Sequence, residues 1–144
     1  MNDTGWWRLL IRGQDQNFSE IEAMLGIKAT SAFKKGHHYD NNEIFKPLTH
    51  DVWIFSIDFD DCKSSEQALE ELLSLLKPSA EYLQQLSRNL SVQLRWFIQS
   101  DYAQIYFELP ANLLKALSDM NLKLEISIFS WGGVEDGDGD SLTD

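Results

Sequence analysis

The order in which strand-like and helix-like segments alternate after Val52 constrains the fold more than any other feature of the sequence. Branched and aromatic runs predict strands, and apolar residues at helical spacing predict helices. The predicted order is strand (52–59), helix (64–88), strand (91–98), strand (104–109), helix (110–120) and strand (122–129). This is the split β-α-β, ferredoxin-like order, in which the helices cover one face of the sheet. We therefore predict an α+β fold, a two-layer α/β sandwich with a mostly antiparallel sheet.

Local signals set the limits of these helices. Ser64 and Gln67, three positions apart, form a capping box that begins the first helix. Pro78 interrupts that helix, because proline cannot donate to the preceding turn, while Pro110 is well placed to open the next helix. A stripe of apolar side chains follows the capping box and should supply the largest part of the core. It consists of Ala68, Leu69, Leu72, Leu73, Leu75 and Leu76.

The first fifty residues are less regular. Residues 6–12 predict a strand that ends at Gly13, and residues 17–26 predict a short amphipathic helix that ends at Gly26. We expect this pair to add a further strand to the sheet. Residues 27–51 lack clear periodicity, and so long an irregular segment is unusual inside a compact domain. The segment is therefore either functional or contains a small hairpin, and the sequence leaves both open.

The net charge of −11 is unevenly distributed along the chain. Residues 1–131 carry 18 acidic and 12 basic side chains, a net charge of −6, whereas residues 132–144 carry five acidic side chains and no basic one. The last segment has almost no apolar side chains, so burial cannot offset the entropy lost on ordering it. We expect a single α+β domain over residues 1–131 and a flexible acidic tail over residues 132–144.

Composition also limits the compartment and the classes of partner. The chain has one cysteine, Cys62, and no secretory leader pattern opens the sequence, so the expected compartment is the cytoplasm. No run approaches the roughly 20 apolar residues that cross a bilayer. The acidic balance opposes contact with phosphate backbones and anionic membranes. Neither a membrane nor a nucleic acid is therefore an expected partner.

No linear motif in the sequence supports catalysis. The nucleophile elbow, the zinc-protease motif and the glycine-rich phosphate loops are all missing. Asp58, Asp60 and Asp61 cluster at a strand end, but acids before a helix commonly serve capping and the helix dipole. His37 and His38 are adjacent, so their side chains do not converge on one metal from a strand. We expect a non-enzymatic protein without a cofactor or a metal site.

One segment, residues 28–39, concentrates basic side chains in an otherwise acidic chain. Lys28, Lys34 and Lys35 lie there with His37 and His38. Loops held on a rigid scaffold commonly carry binding residues. The segment is therefore a candidate anion or partner site, and the plain alternative is a loop whose lysines balance surface acids.

The same region resembles a known family. Residues 25–30, Leu-Gly-Ile-Lys-Ala-Thr, follow the first predicted helix, and Lys35-Gly36 and then Trp53 come after them. This succession resembles the bacterial "domain of unknown function 4279" family, whose members show leucine-glycine-isoleucine, proline-threonine, lysine-glycine and tryptophan in that order. The likeness extends from about residue 7 to residue 129, and Ala29 stands where the family usually has proline.

The resemblance implies a cytoplasmic bacterial protein without established enzymatic activity, and no catalytic residue can be carried over. Some relatives are suggested to act as immunity proteins beside secreted polymorphic toxins. In this reading Gly36 occupies a turn with positive φ, and Trp53 packs at the end of the sheet. The candidate binding residues are Lys28, Lys34, Lys35, Gly36, His37, His38 and Trp53.

Three functions follow from these observations. The leading one is a protein-binding module, most concretely an immunity-type inhibitor whose acidic surface docks on a basic toxin domain. The second is a sensor or carrier that binds a small anionic metabolite through Lys34, Lys35, His37 and His38. The third is a homodimer that pairs through an exposed edge strand, so the sequence leaves monomer and homodimer open.

Overall fold

The structure, a computed structural model, describes residues 3–37, 47–101 and 105–130. Its strands are β1 (Thr4–Gly13), β2 (Ser31–Phe33), β3 (Asp51–Phe59), β4 (Ser91–Ser100) and β5 (Lys123–Ser130). Its helices are α1 (Phe18–Leu25), α2 (Ser65–Leu76), α3 (Ala80–Leu86) and α4 (Ala111–Asp119), with a 3₁₀ turn over Lys77–Ser79. Within these ranges no helix is both long enough and apolar enough to cross a membrane.

The five strands form one mixed sheet in the order β2-β3-β1-β4-β5. β1 lies in the centre and pairs antiparallel with β3 and with β4, and β2 pairs antiparallel with β3. β5 pairs parallel with β4. The α+β class is confirmed, but the mostly antiparallel sheet is replaced by a mixed one. The N-terminal strand joins the sheet as predicted, although at its centre.

The ferredoxin-like order from Val52 is not confirmed, because residues 105–109, the described part of the strand predicted at 104–109, form no strand. Residues 105–110 carry no regular secondary structure. Both edges of β4 are already occupied, one by β1 and the other by β5. No edge is left for a hairpin partner, so the chain passes from β4 through α4 to β5. The alternation of apolar and polar residues in 105–109 instead reflects local packing, in which the Phe107 ring meets the Trp96 ring edge-on.

The other local predictions are confirmed. The Ser64 side chain accepts from the Gln67 backbone N–H, and the Gln67 side chain accepts from the Ser64 N–H. Gly26 ends α1 with φ of 72°, a left-handed conformation that glycine adopts at little cost. Pro78 lies in the 3₁₀ turn that separates α2 from α3. The irregular segment 27–51 contains β2. Residues 38–46, on which the predicted hairpin depends, lie outside the described residues.

The core lies between one face of the sheet and the helices. It contains side chains from all four helices together with alternate residues of the central strands, such as Trp7, Leu9 and Ile11 of β1. The stripe on α2 is buried as predicted, except that Leu75 is 40% exposed. A second, small cluster lies on the opposite face of the sheet, where Leu10 meets Val52 and Ile54. Among the described residues, the helices thus cover one face of the sheet and none of them lies against the other face. We call these the helix face and the open face.

Candidate functional site

The basic segment predicted as a binding site is partly committed to holding the fold together. Lys34 Nζ donates to the Gln16 carbonyl at 2.6 Å and lies 3.5 Å from Asp51 Oδ2. The same ammonium lies 4.3 Å from the centre of the Phe18 ring. The Lys34 charge is therefore partly neutralised by Asp51, which reduces its capacity to attract an external anion.

The Asp51 carboxylate contacts the Lys34 ammonium and two backbone N–H groups. The Asp51 side chain is only 7% exposed, and it accepts from the backbone N–H groups of Gln16 at 3.0 Å and Lys35 at 2.7 Å. The hydrogen bond from Lys35 lowers the pKa of the Asp51 carboxyl below its ordinary value of 3.8, and burial opposes that shift without reversing it. The carboxylate thus anchors the start of β3 to the turn before α1 and to the residues after β2.

The remaining predicted residues divide between the surface and the core. Lys28, Lys35 and Gly36 are exposed, and Gly36 has the positive φ expected of it, 92°. His37 is also exposed and its ring stacks on Phe33 at 4.9 Å. Trp53 is fully buried in the helix-face core, so it supports the fold and is not available to a partner. His38 lies outside the described residues.

A cleft that sequence reasoning did not identify lies where β1, β3 and α2 meet the segment after β4. It has a volume of about 480 Å³. We call it the acidic cleft, because five of the described residues that line it are acidic and none of them is basic. The acidic residues are Asp3, Asp60, Asp61, Glu66 and Glu108, and the aromatic ones are Phe59, Trp96, Tyr106 and Phe107.

The fold brings these carboxylates together from four separate stretches of the chain. Asp60 directly follows β3, and its Oδ1 accepts from the backbone N–H groups of Cys62 and Lys63. These hydrogen bonds form a turn that leads into the capping box of α2. Glu66 lies in the first turn of α2, where the helix dipole favours an ionised carboxylate. Sequence reasoning assigned the acids at this strand end to capping, and Asp60 does serve the turn. What it missed is their approach to Asp3 and Glu108.

The aromatic residues give the cleft an apolar wall. The Trp96 ring stacks on the Trp7 ring with 4.4 Å between the ring centres, and it meets the Phe107 ring edge-on at 4.9 Å. These contacts hold Trp96 and Phe107 in place. Tyr106 is 77% exposed, and its hydroxyl donates to Glu108 Oε1 at 2.8 Å. Oδ1 of Asp3 is buried and accepts no hydrogen bond from the described residues.

This arrangement suits an organic cation better than a metal ion. In the part of the chain that the structure describes, no three His, Cys, Asp or Glu side chains converge closely enough to bind a metal. Carboxylates beside aromatic rings favour an ammonium or guanidinium group, which gains both ion pairing and contact with the ring faces. The lining is therefore chemically suited to an ammonium or guanidinium group.

Comparison with known proteins identifies a family. A family model described as "Domain of unknown function (DUF4279)" matches residues 5–131, which confirms the resemblance seen in the sequence. No curated protein and no solved structure matched the chain. Because the family model covers most of the sequence, the chain belongs to the DUF4279 family.

Proposed function

We propose that the protein is a non-enzymatic binding module that captures a basic segment of a protein partner in the acidic cleft. The observation that carries this proposal is the lining of the cleft, which among the described residues has five carboxylates, four aromatic side chains and no basic side chain. The Oδ1 of Asp3 adds to it: this buried acceptor has no donor among the residues that the structure describes, which is costly, and a cationic ligand would supply one.

An arginine of the partner fits this cleft best. Its planar guanidinium stacks on aromatic faces and donates to carboxylates in pairs. Tyr106 and Phe107 offer rings beside Glu108, and Asp61 is exposed nearby with no hydrogen bond to the described residues. A partner arginine would thus exchange its hydration shell for several charge-assisted hydrogen bonds.

The most concrete form of this function is an immunity-type inhibitor of a polymorphic toxin, as suggested for some relatives. A toxin that acts on nucleic acid presents a basic surface, and an acidic inhibitor associates quickly with such a surface through electrostatic steering. The net charge of the chain, −11, has the sign that this mechanism requires.

The proposal predicts that a basic toxin domain is encoded beside this protein, and the test is binding to that domain, measured by surface plasmon resonance. We expect a dissociation constant of about 1 nM or lower and an association rate that falls steeply as salt rises. The variant Asp61→Asn/Glu108→Gln should weaken binding by about tenfold or more, because it removes two charges from the cleft. Micromolar or undetectable binding by the wild type would contradict the proposal.

The matched control is Glu81→Gln/Glu70→Gln, which removes two exposed carboxylates of α3 and α2 that do not line the acidic cleft. It changes the net charge by the same amount as the cleft variant. Equal losses of affinity in the two variants would show that net charge alone drives association, and the cleft would lose its assigned role.

A small-anion sensor remains the alternative proposal, and the observation in its favour is the exposure of Lys28, Lys35 and His37. The engagement of Lys34 by Gln16 and Asp51 weakens it. A thermal-shift screen against anionic metabolites, with Lys35→Ala as the control, separates the two functions. A ligand that raises the melting temperature of the wild type but not of Lys35→Ala would favour the sensor.

A further inference from the structure

The open face carries a charge opposite to that of the whole chain. Register places four basic side chains of the strands on this face, and only two acidic ones. The basic ones are Arg8, Arg12, Arg95 and Lys123, and the acidic ones are Asp58 and Glu125. Three of the four arginines in the sequence therefore lie on one surface of a protein whose net charge is −11.

Two of these arginines are direct neighbours in the middle of the sheet. Arg8 of β1 and Arg95 of β4 are partners in the strand register, flanked by Ser56 of β3 and Glu125 of β5. Like charges directly opposite each other on a sheet are destabilising. A pair of this kind therefore needs either anchoring groups within the protein or an anion supplied from outside.

The anchors within the protein leave donor capacity unused. Arg8 Nε donates to Ser56 Oγ at 2.8 Å, and the guanidinium lies 3.9 Å from the centre of the Trp6 ring. Arg95 Nε donates to Glu125 Oε2 at 3.0 Å, with 38% of the Arg95 side chain exposed. Among the described residues, the terminal nitrogens of Arg8 make no hydrogen bond. A guanidinium has five N–H donors, so most of the donors of Arg8 remain available.

A groove runs beside this pair. It has a volume of about 360 Å³, and its lining includes the side chains of Trp6 and Phe97 as well as the Arg95–Glu125 ion pair. Trp6 and Phe97 stack at 5.2 Å, which gives the groove a rigid aromatic wall. The arginines are thus held in fixed positions before any ligand arrives, which lowers the entropic cost of binding.

We propose that the open face is a second binding surface, on which Arg8 and Arg95 bind the carboxylates of an acidic protein segment. The segment lies along the groove, its carboxylates accept from the terminal nitrogens of Arg8 and pair with the charge of Arg95, and Arg12 extends the positive surface along β1. This surface is separate from the acidic cleft, has the opposite charge and does not depend on the function proposed for the cleft.

An acidic protein segment fits this face better than a nucleic acid or a second copy of the chain. Single-stranded nucleic acids bind by stacking bases on aromatic faces, but the Trp6 ring is already in contact with Phe97 and Arg8. Two open faces placed against each other would bring the arginine pairs together, which opposes a face-to-face dimer.

The experiment measures fluorescence anisotropy of a labelled oligo-glutamate peptide with the full-length protein at low salt. We expect saturable binding that weakens by about tenfold in Arg8→Gln and in Arg95→Gln, since each removes a charge-assisted hydrogen-bond donor. The matched control is Arg88→Gln, because Arg88 follows α3 and lies away from the open face. It should bind the peptide as the wild type does.

Three outcomes would overturn the proposal. Absence of binding to the wild type removes the surface, and an equal loss in Arg88→Gln shows that net charge alone attracts the peptide. Tighter binding of a single-stranded oligonucleotide with the same charge reassigns the face to nucleic acid. The cleft variant Asp61→Asn/Glu108→Gln should retain peptide binding, so failure of one surface is distinguished from failure of the other.

Discussion

The helix face and the open face of the same sheet differ in what covers them. Consecutive side chains of β1 point to opposite faces, so Trp7 and Leu9 meet the helices while Trp6 and Arg8 do not. The main apolar core lies on the helix face, whereas the open face combines a small apolar cluster with arginines and two stacked aromatic rings. One face therefore holds most of the buried apolar side chains, and the other carries most of the charged side chains of the strands.

The largest effect on the free energy of unfolding is expected from truncating two neighbouring leucines, one on each face of the sheet. Leu9 is fully buried in the helix-face core, and Leu10 belongs to the small cluster on the open face. Leu9→Ala should lower the free energy of unfolding by about 4–5 kcal/mol, and Leu10→Ala by about 2–3 kcal/mol, within the range for buried leucine truncations. The difference arises because the small cluster can collapse or admit water more easily. Urea denaturation measures both values.

If Leu10→Ala proved as costly as Leu9→Ala, the open face would contribute to stability as much as the helix face. The contrast between the two faces would then fail. Equal slopes of the urea transitions in both variants are needed for this comparison, because they show that the same surface is exposed on unfolding.

A smaller effect is expected at Asp51, which lies at the edge of the helix face. In Asp51→Asn, one carboxylate oxygen is replaced by an amide nitrogen, which cannot accept a hydrogen bond. One of the two backbone N–H groups, of Gln16 or Lys35, then loses its acceptor. The free energy of unfolding should fall by about 1–3 kcal/mol, the usual cost of unpaired buried polar groups. Urea denaturation at neutral pH measures this change.

The pH dependence of Asp51 has a definite sign. Its pKa in the folded state is lower than the ordinary value of 3.8, so folding favours the ionised form. The stabilisation is present above pH 3.8 and is lost as the pH falls through the folded-state pKa. We expect the difference in the free energy of unfolding between the wild type and Asp51→Asn to narrow as the pH falls below 3.8 toward the folded-state pKa. A gap that stays constant down to the acid transition would contradict this account.

The smallest effect concerns the arginine pair of the open face. Arg8 and Arg95 lie opposite each other on the adjacent strands β1 and β4. In a double-mutant cycle with glutamine at both positions, the coupling free energy for unfolding should therefore show an unfavourable interaction of about 0.2–1 kcal/mol. High salt should shrink it, because partly exposed charges are screened. Favourable coupling would show that the two guanidinium groups stack rather than repel, and the need for an external anion would disappear.

Sequence patterns located most of the individual elements. Hydrophobic periodicity, the capping box at Ser64 and the position of Pro78 are local signals, and each acts through contacts within a few residues along the chain. The one strand predicted wrongly, at 104–109, has the alternation of a strand but no free edge to pair with. Pairing depends on which strands occupy the two edges of β4, and that information is not local.

The candidate sites show the same limit. Lys34 stood out by composition, but its role follows from Asp51 and Gln16, which lie 17 and 18 residues away along the chain. The carboxylates of the acidic cleft are spread from Asp3 to Glu108, and no spacing rule links them. The Arg8–Arg95 pair likewise exists only because β1 and β4 are adjacent in one register.

By itself, therefore, the sequence determined the α+β class, the limits of nearly all helices and strands, and the family, because these follow from short-range patterning and from motif order. The tertiary structure alone decided the strand order, the mixed sheet and the two surfaces of opposite charge. Those features depend on contacts between residues far apart in the chain, where register and sheet edges, rather than local propensity, decide which side chains meet.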